Sequence, residues 1–298
     1  MIYTIKMIVT DLDGTLLRTD KTISSRTQEV LQKCREAGIK VVYATGRGGS
    51  ADRVAHAELF DGRITMNGAV AKMGVTNQDN ITVAKMNGTA KQASTVTTSK
   101  GNDIAAINTT TKATHGETYK CLIPYKTARP ILVACDMRGI KITSEVGGMH
   151  YSNFAVSDFW PQLTNFEITD FSRHALDAEK IYSPNPNAEE SAFIRQLLPT
   201  ELYSVATSDI TGVLLQVMHK DATKWKTVLK LANRWGIQPS EIVAFGDDLN
   251  DLDMLENAGI GVAMHNALDE VKAVCNTVCG SNNEDGLAGW ITNNVAML

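Results

Sequence analysis

The stretch Ile8-Val9-Thr10-Asp11-Leu12-Asp13-Gly14-Thr15-Leu16 decides how this chain is read, because an apolar run meets two carboxylates and a glycine. In an extended segment alternate side chains share a face, so Asp11 and Asp13 are expected to point into one small space. Two like charges held together are costly unless a cation or a shared proton offsets their repulsion. Gly14 permits a sharp turn or a close approach to a ligand, and the Thr15 hydroxyl can fix a carboxylate. Taken alone, Asp-x-Asp-Gly also fits an ordinary turn or a calcium loop.

Working outward, the strand Lys6 to Thr10 precedes a helix that starts near Ser24 or Ser25. Val30, Leu31, Cys34 and Ala37 line one face of that helix, and Gly38 stops it. The β-branched run Ile39 to Ala44 follows, and strand-helix-strand order predicts a parallel sheet with right-handed crossovers. The pattern recurs late in the chain: helix Lys224 to Trp235, strand Ile242 to Phe245, helix Leu252 to Ala258. Between these halves the texture changes. Thr82 to His115 is rich in Thr, Asn, Lys and Gly with weak apolar periodicity, and its elements cannot be placed. Arg129 to Arg138 reads as strand or short helix, Glu189 to Leu198 as a helix, and Val213 to Met218 as a strand. The expectation is an α/β fold, a Rossmann-like parallel-sheet core from 1–82 and 219–298, interrupted by an α+β insert over 83–218.

With 298 residues the chain can bury a sizeable core, and 43% hydrophobic with 21% charged residues is an ordinary globular balance. A net charge of -4 argues against a nucleic-acid partner. The 5 cysteines are odd in number and scattered, so reduced thiols in a cytoplasmic compartment are expected, with structural roles. Cys275 and Cys279, without a histidine cluster, make a poor zinc site, and none of the 6 histidines has ligand spacing. No stretch approaches the roughly 18 uninterrupted apolar residues of a membrane span. The opening apolar run Ile2 to Val9, broken by Lys6, reads as a buried strand and not as a secretion signal. Trp160, Phe159 and Tyr151 are expected to pack the core of the insert.

In an open α/β sheet, ligands bind beyond the carboxyl ends of the strands. Those positions hold Asp11, Asp13 and Thr15, then Thr45-Gly46-Arg47, then Gly246-Asp247-Asp248-Leu249-Asn250-Asp251, while Lys224 opens a helix. Several carboxylates around one point require a hard cation, and oxygen ligands without His or Cys favour Mg2+ over zinc. Thr45, the Gly46 amide and Lys224 supply donors and positive charge for phosphate oxygens. A carboxylate can then attack phosphorus and divide one difficult displacement into two easier ones.

These residues, in this order, resemble the haloacid dehalogenase-like (HAD) superfamily. Asp11-Leu12-Asp13-Gly14-Thr15-Leu16 resembles its first motif, Ala44-Thr45-Gly46-Arg47 its second, Lys224 its third, and Gly246 to Asp251 its fourth. Asn67-Gly68-Ala69, Gly261 to Ala267 and Asn283-Glu284-Asp285-Gly286 look like the Cof-type, subfamily IIB branch, whose cap is inserted between the second and third motifs. The resemblance implies that Asp11 is the nucleophile and that Asp13 protonates the leaving oxygen and later activates water. It implies that Asp11, the Asp13 backbone carbonyl and Asp247 hold Mg2+, with Asp251 anchoring the metal shell directly or through water. Leu12 by its amide, Thr45, Gly46 and Lys224 would grip the phosphoryl group, and Asn250 would bind phosphate or orient the shell. The chain departs from the branch at Trp225 and His265, where glycine is usual. Trp225 is expected to pack, and His265 receives no catalytic role.

The implied activity is a Mg2+-dependent phosphatase acting on small phosphate monoesters, sugar phosphates or related metabolites, as a monomer or small homo-oligomer. Two alternatives use the same Asp-x-Asp site: a phosphomutase or phosphotransferase, and a non-enzymatic phospho-aspartate switch. A positioned acid-base group at Asp13 argues against the switch, which benefits from slow hydrolysis.

Overall fold

The computed structural model of the protein describes residues 4–49, 51, 55–74, 117–209 and 212–295. The stretch Thr82 to His115 lies outside them. The first sheet contains β1 (Met7–Thr10), β2 (Lys40–Ala44), β3 (Gly62–Thr65), β4 (Val70–Met73), β5 (Thr118–Lys120), β12 (Ile242–Gly246), β13 (Ile260–Ala263) and β14 (Thr277–Val278). Its order is β14-β13-β12-β1-β2-β3-β4-β5. Pairing is parallel from β14 to β3 and antiparallel at β3–β4 and β4–β5.

Both faces of this sheet are covered, which is why its central strands read as unbroken apolar runs and not as alternations. On one face Ile8, Val41, Tyr43 and Phe245 pack with α1 (Ser25–Glu36) through Val30, Leu31 and Cys34. On the other, Met7, Val9, Val42 and Ala244 pack with the long helix Lys224–Trp235 through Trp225, Val228 and Leu231. Fully burying one such side chain contributes about 1.5–3 kcal/mol. Trp225 is therefore a packing residue, and His265 is exposed. The α1 N-terminus is capped as the sequence suggests: Ser24 accepts from the Thr27 N–H.

The second sheet contains β6 (Thr143–Val146), β7 (Met149–Ser152), β8 (Phe166–Ile168), β9 (Lys180–Pro184), β10 (Leu202–Asp209) and β11 (Gly212–His219), ordered β10-β11-β9-β6-β7-β8. Helices α2 (Tyr125–Met137) and α3 (Ala188–Gln196) cover one face through Ile131, Leu132, Cys135 and Ile194. The segment that read as strand or short helix is thus helical. Pro130 obscured it, and its first turn is tied by Asp177, which accepts from the Tyr125 N–H at 2.8 Å. Tyr151 packs against this core, while Phe159 and Trp160 form ring contacts with Phe154 and Tyr182. One strand from the span expected as the insert, Thr118–Lys120, instead extends the first sheet as an antiparallel edge. No disulfide forms among the five cysteines.

The strand register aligns Glu145 of β6 with Lys180 of β9, Glu145 with His150 of β7, and Tyr182 with Gln216 of β11. Because side chains alternate, these polar residues occupy the face opposite Ile181 and the helices. Contacts from that face to the first sheet include Met218 on Met66 and Ala69, and hydrogen bonds from Lys180 to Gly46 and from Asn67 to Gln216.

Candidate active site

The chain leaves the sheet after Thr10 and coils tightly. The Asp11 N–H donates to Phe245 O at 3.0 Å, Leu16 N–H to Asp11 O at 3.3 Å, and Leu17 N–H to Leu12 O at 2.7 Å. Gly14 has φ 79°, and a Cβ there would stand 2.1 Å from Asp247 Oδ2, so only glycine allows that approach. The same turn brings Thr15 Oγ1 to Asp247 Oδ1, donating at 2.5 Å.

This coil corrects the expectation that Asp11 and Asp13 crowd one space. Asp11 is buried and turns toward Lys224, Asp247 and Asp251. The Asp13 side chain is 36% exposed and takes two bonds from Arg47, Nε to Oδ2 and Nη2 to Oδ1, plus one from Lys21 Nζ to Oδ1 at 2.7 Å. Burial raises the Asp13 carboxyl, but the Arg47 and Lys21 hydrogen bonds outweigh it and hold it below the usual range. Among the described residues its carboxylate is not a member of the metal-competent cluster.

The crowding falls on a different trio. One carboxylate oxygen each from Asp11, Asp247 and Asp251 lie within 4.8 Å of one another. The Lys224 ammonium, fully buried, donates to Asp11 Oδ1 at 2.7 Å and to Asp251 Oδ1 at 2.6 Å. Asp251 Oδ2 accepts from the amides of Asp247 at 3.0 Å and Asp248 at 3.2 Å, so both its oxygens have protein partners. That set suits an anchor for the loop better than a metal ligand. Burial, opposed by Lys224 and reinforced by Asp251 and Asp247, pushes the Asp11 carboxyl well above its ordinary value. Burial and then Asp251 raise Asp247 to about 7. Burial alone would lower Lys224, but Asp11 and Asp251 overcome it and keep the amine protonated. With two buried carboxylates, Asp11 and Asp251, a half-buried third, Asp247, and the Lys224 ammonium among them, a hard divalent cation fits beside Asp11 and Asp247: the donors are oxygen, and added positive charge relieves the remaining repulsion.

The other expected residues gather nearby by different elements. Thr45, at the end of β2, is buried, and its Oγ1 accepts from the Arg47 N–H at 3.1 Å. Among the described residues the backbone N–H groups of Leu12 and Gly46 have no acceptor, which leaves them available to an anion. Asn250 is committed elsewhere: its Nδ2 donates to Asn67 Oδ1 at 2.9 Å, and Asn67 Nδ2 donates to Gln216 Oε1 at 3.3 Å. Asp248 is half-buried and accepts from Leu249 N–H at 2.7 Å.

Sequence reasoning gave no role to Arg47, Asn67, Gln216, Lys180 or Glu145. The Thr-Gly-Arg and Asn-Gly-Ala triplets carried a signal for Arg47 and Asn67, whereas the others have meaning only through pairing of distant strands.

The chain matches the model of the haloacid dehalogenase-like hydrolases over residues 8–291. YitU, a 5-amino-6-(5-phospho-D-ribitylamino)uracil phosphatase of Bacillus subtilis, is 26% identical over 96% of this chain and 96% of its own length. A putative phosphatase of Haemophilus influenzae is 42% identical over a shorter match, 41% of this chain and 48% of that protein. Among solved structures, BT1666 from Bacteroides thetaiotaomicron superposes with a TM-score of 0.74 at 22% identity, covering 99% of this chain and 96% of that one. BT4131, described as a subclass IIB sugar phosphatase, gives 0.71 at 23% identity, covering 98% and 100%. These two likenesses concern the fold. No helix among the described residues is long and apolar enough to cross a membrane.

Proposed function

The chain belongs to the haloacid dehalogenase-like hydrolases as a phosphate-monoester hydrolase, and from that premise we propose that it cleaves small phosphorylated metabolites, sugar phosphates among them, with Mg2+ and through a phosphoryl group carried on Asp11. The observation that carries the proposal is Asp11 itself, a buried carboxylate at a strand end whose Oδ1 is held by Lys224 beside Asp247 and Asp251. Among the described residues its hydrogen bonds reach Oδ1 alone, so Oδ2 is the oxygen available to attack phosphorus.

Mg2+ would be held by the carboxylates of Asp11 and Asp247 with the Asp13 carbonyl, while Asp251 fixes the loop. Bound there, the ion supplies positive charge that keeps Asp11 and Asp247 ionised at neutral pH and neutralises the phosphoryl oxygens. Lys224 keeps Asp11 oriented and charged. Thr45 and the amides of Leu12 and Gly46 hold the phosphoryl oxygens. Asn250, bonded to Asn67, acts by steadying the fourth-motif loop.

Asp13 serves the leaving group and then the water. For it to donate a proton, Arg47 and Lys21 must release its carboxylate. The substrate phosphoryl group, an anion attracted to the same guanidinium, is the competitor that frees it. The second sheet, which turns its polar face to this site and carries its helices on the other, would form the cap within the 83–218 insert and contact the leaving group.

The test is a panel of phosphorylated metabolites assayed with and without Mg2+, beside Asp11→Asn. Activity should require the ion, fall by at least about a thousandfold in the variant, and leave labelled phosphate on Asp11 after rapid acid quench. Robust hydrolysis by Asp11→Asn would sink the assignment. Transfer of label to a sugar instead of water would favour the phosphomutase reading, and a phosphoenzyme persisting for minutes the switch.

A further inference from the structure

Lys180 is a charged residue in a place that packing alone does not demand. Nearby, the same sheet face meets the first sheet through apolar groups, Met218 of β11 against Met66 and Ala69. An ammonium ion buried at such a junction is costly unless paired and used. The Lys180 side chain is 8% exposed and that of its partner Glu145, 3.4 Å away on the neighbouring strand, 6%. Glu145 is held in turn: His150 Nε2 lies 3.9 Å from it, and His150 Nδ1 is hydrogen-bonded with the Tyr182 hydroxyl at 3.0 Å. Its Oε1 reaches so close to the second-motif loop that a Cβ on Gly48 would stand 2.6 Å from it.

The ammonium donates across the junction to the carbonyl of Gly46 at 3.3 Å. That carbonyl belongs to the Gly46–Arg47 peptide. The N–H at the other end of the same peptide donates to Thr45 Oγ1 at 3.1 Å. Donating to a carbonyl polarises the peptide and strengthens its N–H as a donor. A threonine hydroxyl has one proton and two lone pairs. Once a lone pair is occupied by the Arg47 N–H, the proton must point elsewhere, toward an oxygen placed in the site.

We propose that Lys180 is a positioning residue: held by Glu145, it fixes the Gly46–Arg47 peptide and through it the Thr45 hydroxyl, so that seating of the second sheet completes the phosphoryl grip. This rests on the reading of Thr45 as a phosphoryl donor. Lys180 touches neither substrate nor metal in it, and its effect passes entirely through one peptide unit. Glu145 keeps the ammonium aimed, which is why the pair is buried together.

The experiment uses the full chain with Mg2+ and p-nitrophenyl phosphate, comparing wild type with Lys180→Met and Lys180→Arg. Inorganic phosphate serves as a competitive inhibitor, and melting temperature is followed in parallel. Losing one charge-assisted hydrogen bond should lower kcat about tenfold in Lys180→Met, change KM by less than about threefold, and weaken phosphate inhibition about fivefold. Lys180→Arg, which keeps the donor, should recover most of both. The inhibition constant is independent of how much enzyme is folded, so a merely structural role would not move it. Unchanged kcat and inhibition constant in Lys180→Met would overturn the inference and leave the phosphatase reading intact. A loss that tracks melting temperature alone, without rescue by arginine, would also overturn it. A wild-type protein that hydrolyses no phosphate ester would sink the phosphatase reading and this inference with it.

Discussion

Replacing Lys224 by methionine removes the one ammonium that, among the described residues, sits between Asp11 and Asp251 beside Asp247, at nearly constant side-chain volume. Its two contacts, 2.7 Å to Asp11 and 2.6 Å to Asp251, are each worth about 6 kcal/mol of attraction at an effective dielectric of about 20. Desolvating the ammonium takes back several kcal/mol, and breaking one partner of a buried pair typically costs about 3–5 kcal/mol. Most of that cost is repulsion among carboxylates left uncompensated, so it must depend on pH. Asp11 is raised well above the usual carboxyl value of 3.8 and Asp247 to about 7 even with Lys224 present. A raised folded-state value means that folding favours the protonated acid. Stability is then fullest below the unfolded value and is lost as pH rises toward the folded one. Each proton is worth about 1.4 kcal/mol per pH unit over that window. The Lys224→Met deficit should therefore be about 3–5 kcal/mol at pH 8 and shrink by about 2–3 kcal/mol at pH 5. Urea unfolding followed by circular dichroism at both values, without magnesium, measures it. Adding Asp11→Asn to Lys224→Met should restore part of the loss at pH 8. A deficit equal at both pH values, and indifferent to Asp11→Asn, would refute the reasoning and assign the cost to packing.

Two more outcomes follow from the same geometry. Gly14→Ala sets a Cβ at φ 79° and 2.1 Å from Asp247 Oδ2. It should destabilise the fold by about 1–2 kcal/mol through the backbone and displace Asp247, reducing Mg2+-dependent turnover by more than about tenfold. Normal Mg2+ affinity in that variant would disprove the close approach. Mg2+ affinity should fall up to about tenfold per pH unit below about pH 7, because binding must displace the Asp247 proton. Calorimetric titration in two buffers of different ionisation enthalpy counts that proton, and release of none at pH 6 would contradict it.

Much of the architecture was legible because its causes are local. Within the runs Lys6–Thr10, Ile39–Ala44 and Ile242–Phe245, the stretches Met7–Thr10, Val41–Ala44 and Ile242–Phe245 lack charge on either face, and the structure buries them on both faces. Ser24 and Gly38 marked the ends of α1 by capping preference, and Lys224–Trp235 is found as expected, closed by Gly236 in the left-handed conformation. Arg129–Arg138 was ambiguous because Pro130 breaks the helical signal, while the bond that ties the helix start comes from Asp177, far along the chain. The location of the site at the strand ends was also legible, since parallel topology brings the residues after β1, β2 and β12 to one edge.

The division of charges within that site was not. Alternation along a strand pairs Asp11 with Asp13, and it holds only while the chain stays extended. A turn that Gly14 permits, closed by Thr15 on Asp247, sends the two carboxylates to different cations. Asp11 joins Asp247, Asp251 and Lys224, and Asp13 joins Arg47 and Lys21. Sequence alone determined which residues meet at the strand ends, because periodicity and capping act over a few residues. Which of them touch, and that Lys180 and Glu145 join them from another sheet, was decided by tertiary structure. Burial there strips charges of water, and each must find its partner across the fold wherever along the chain that partner lies.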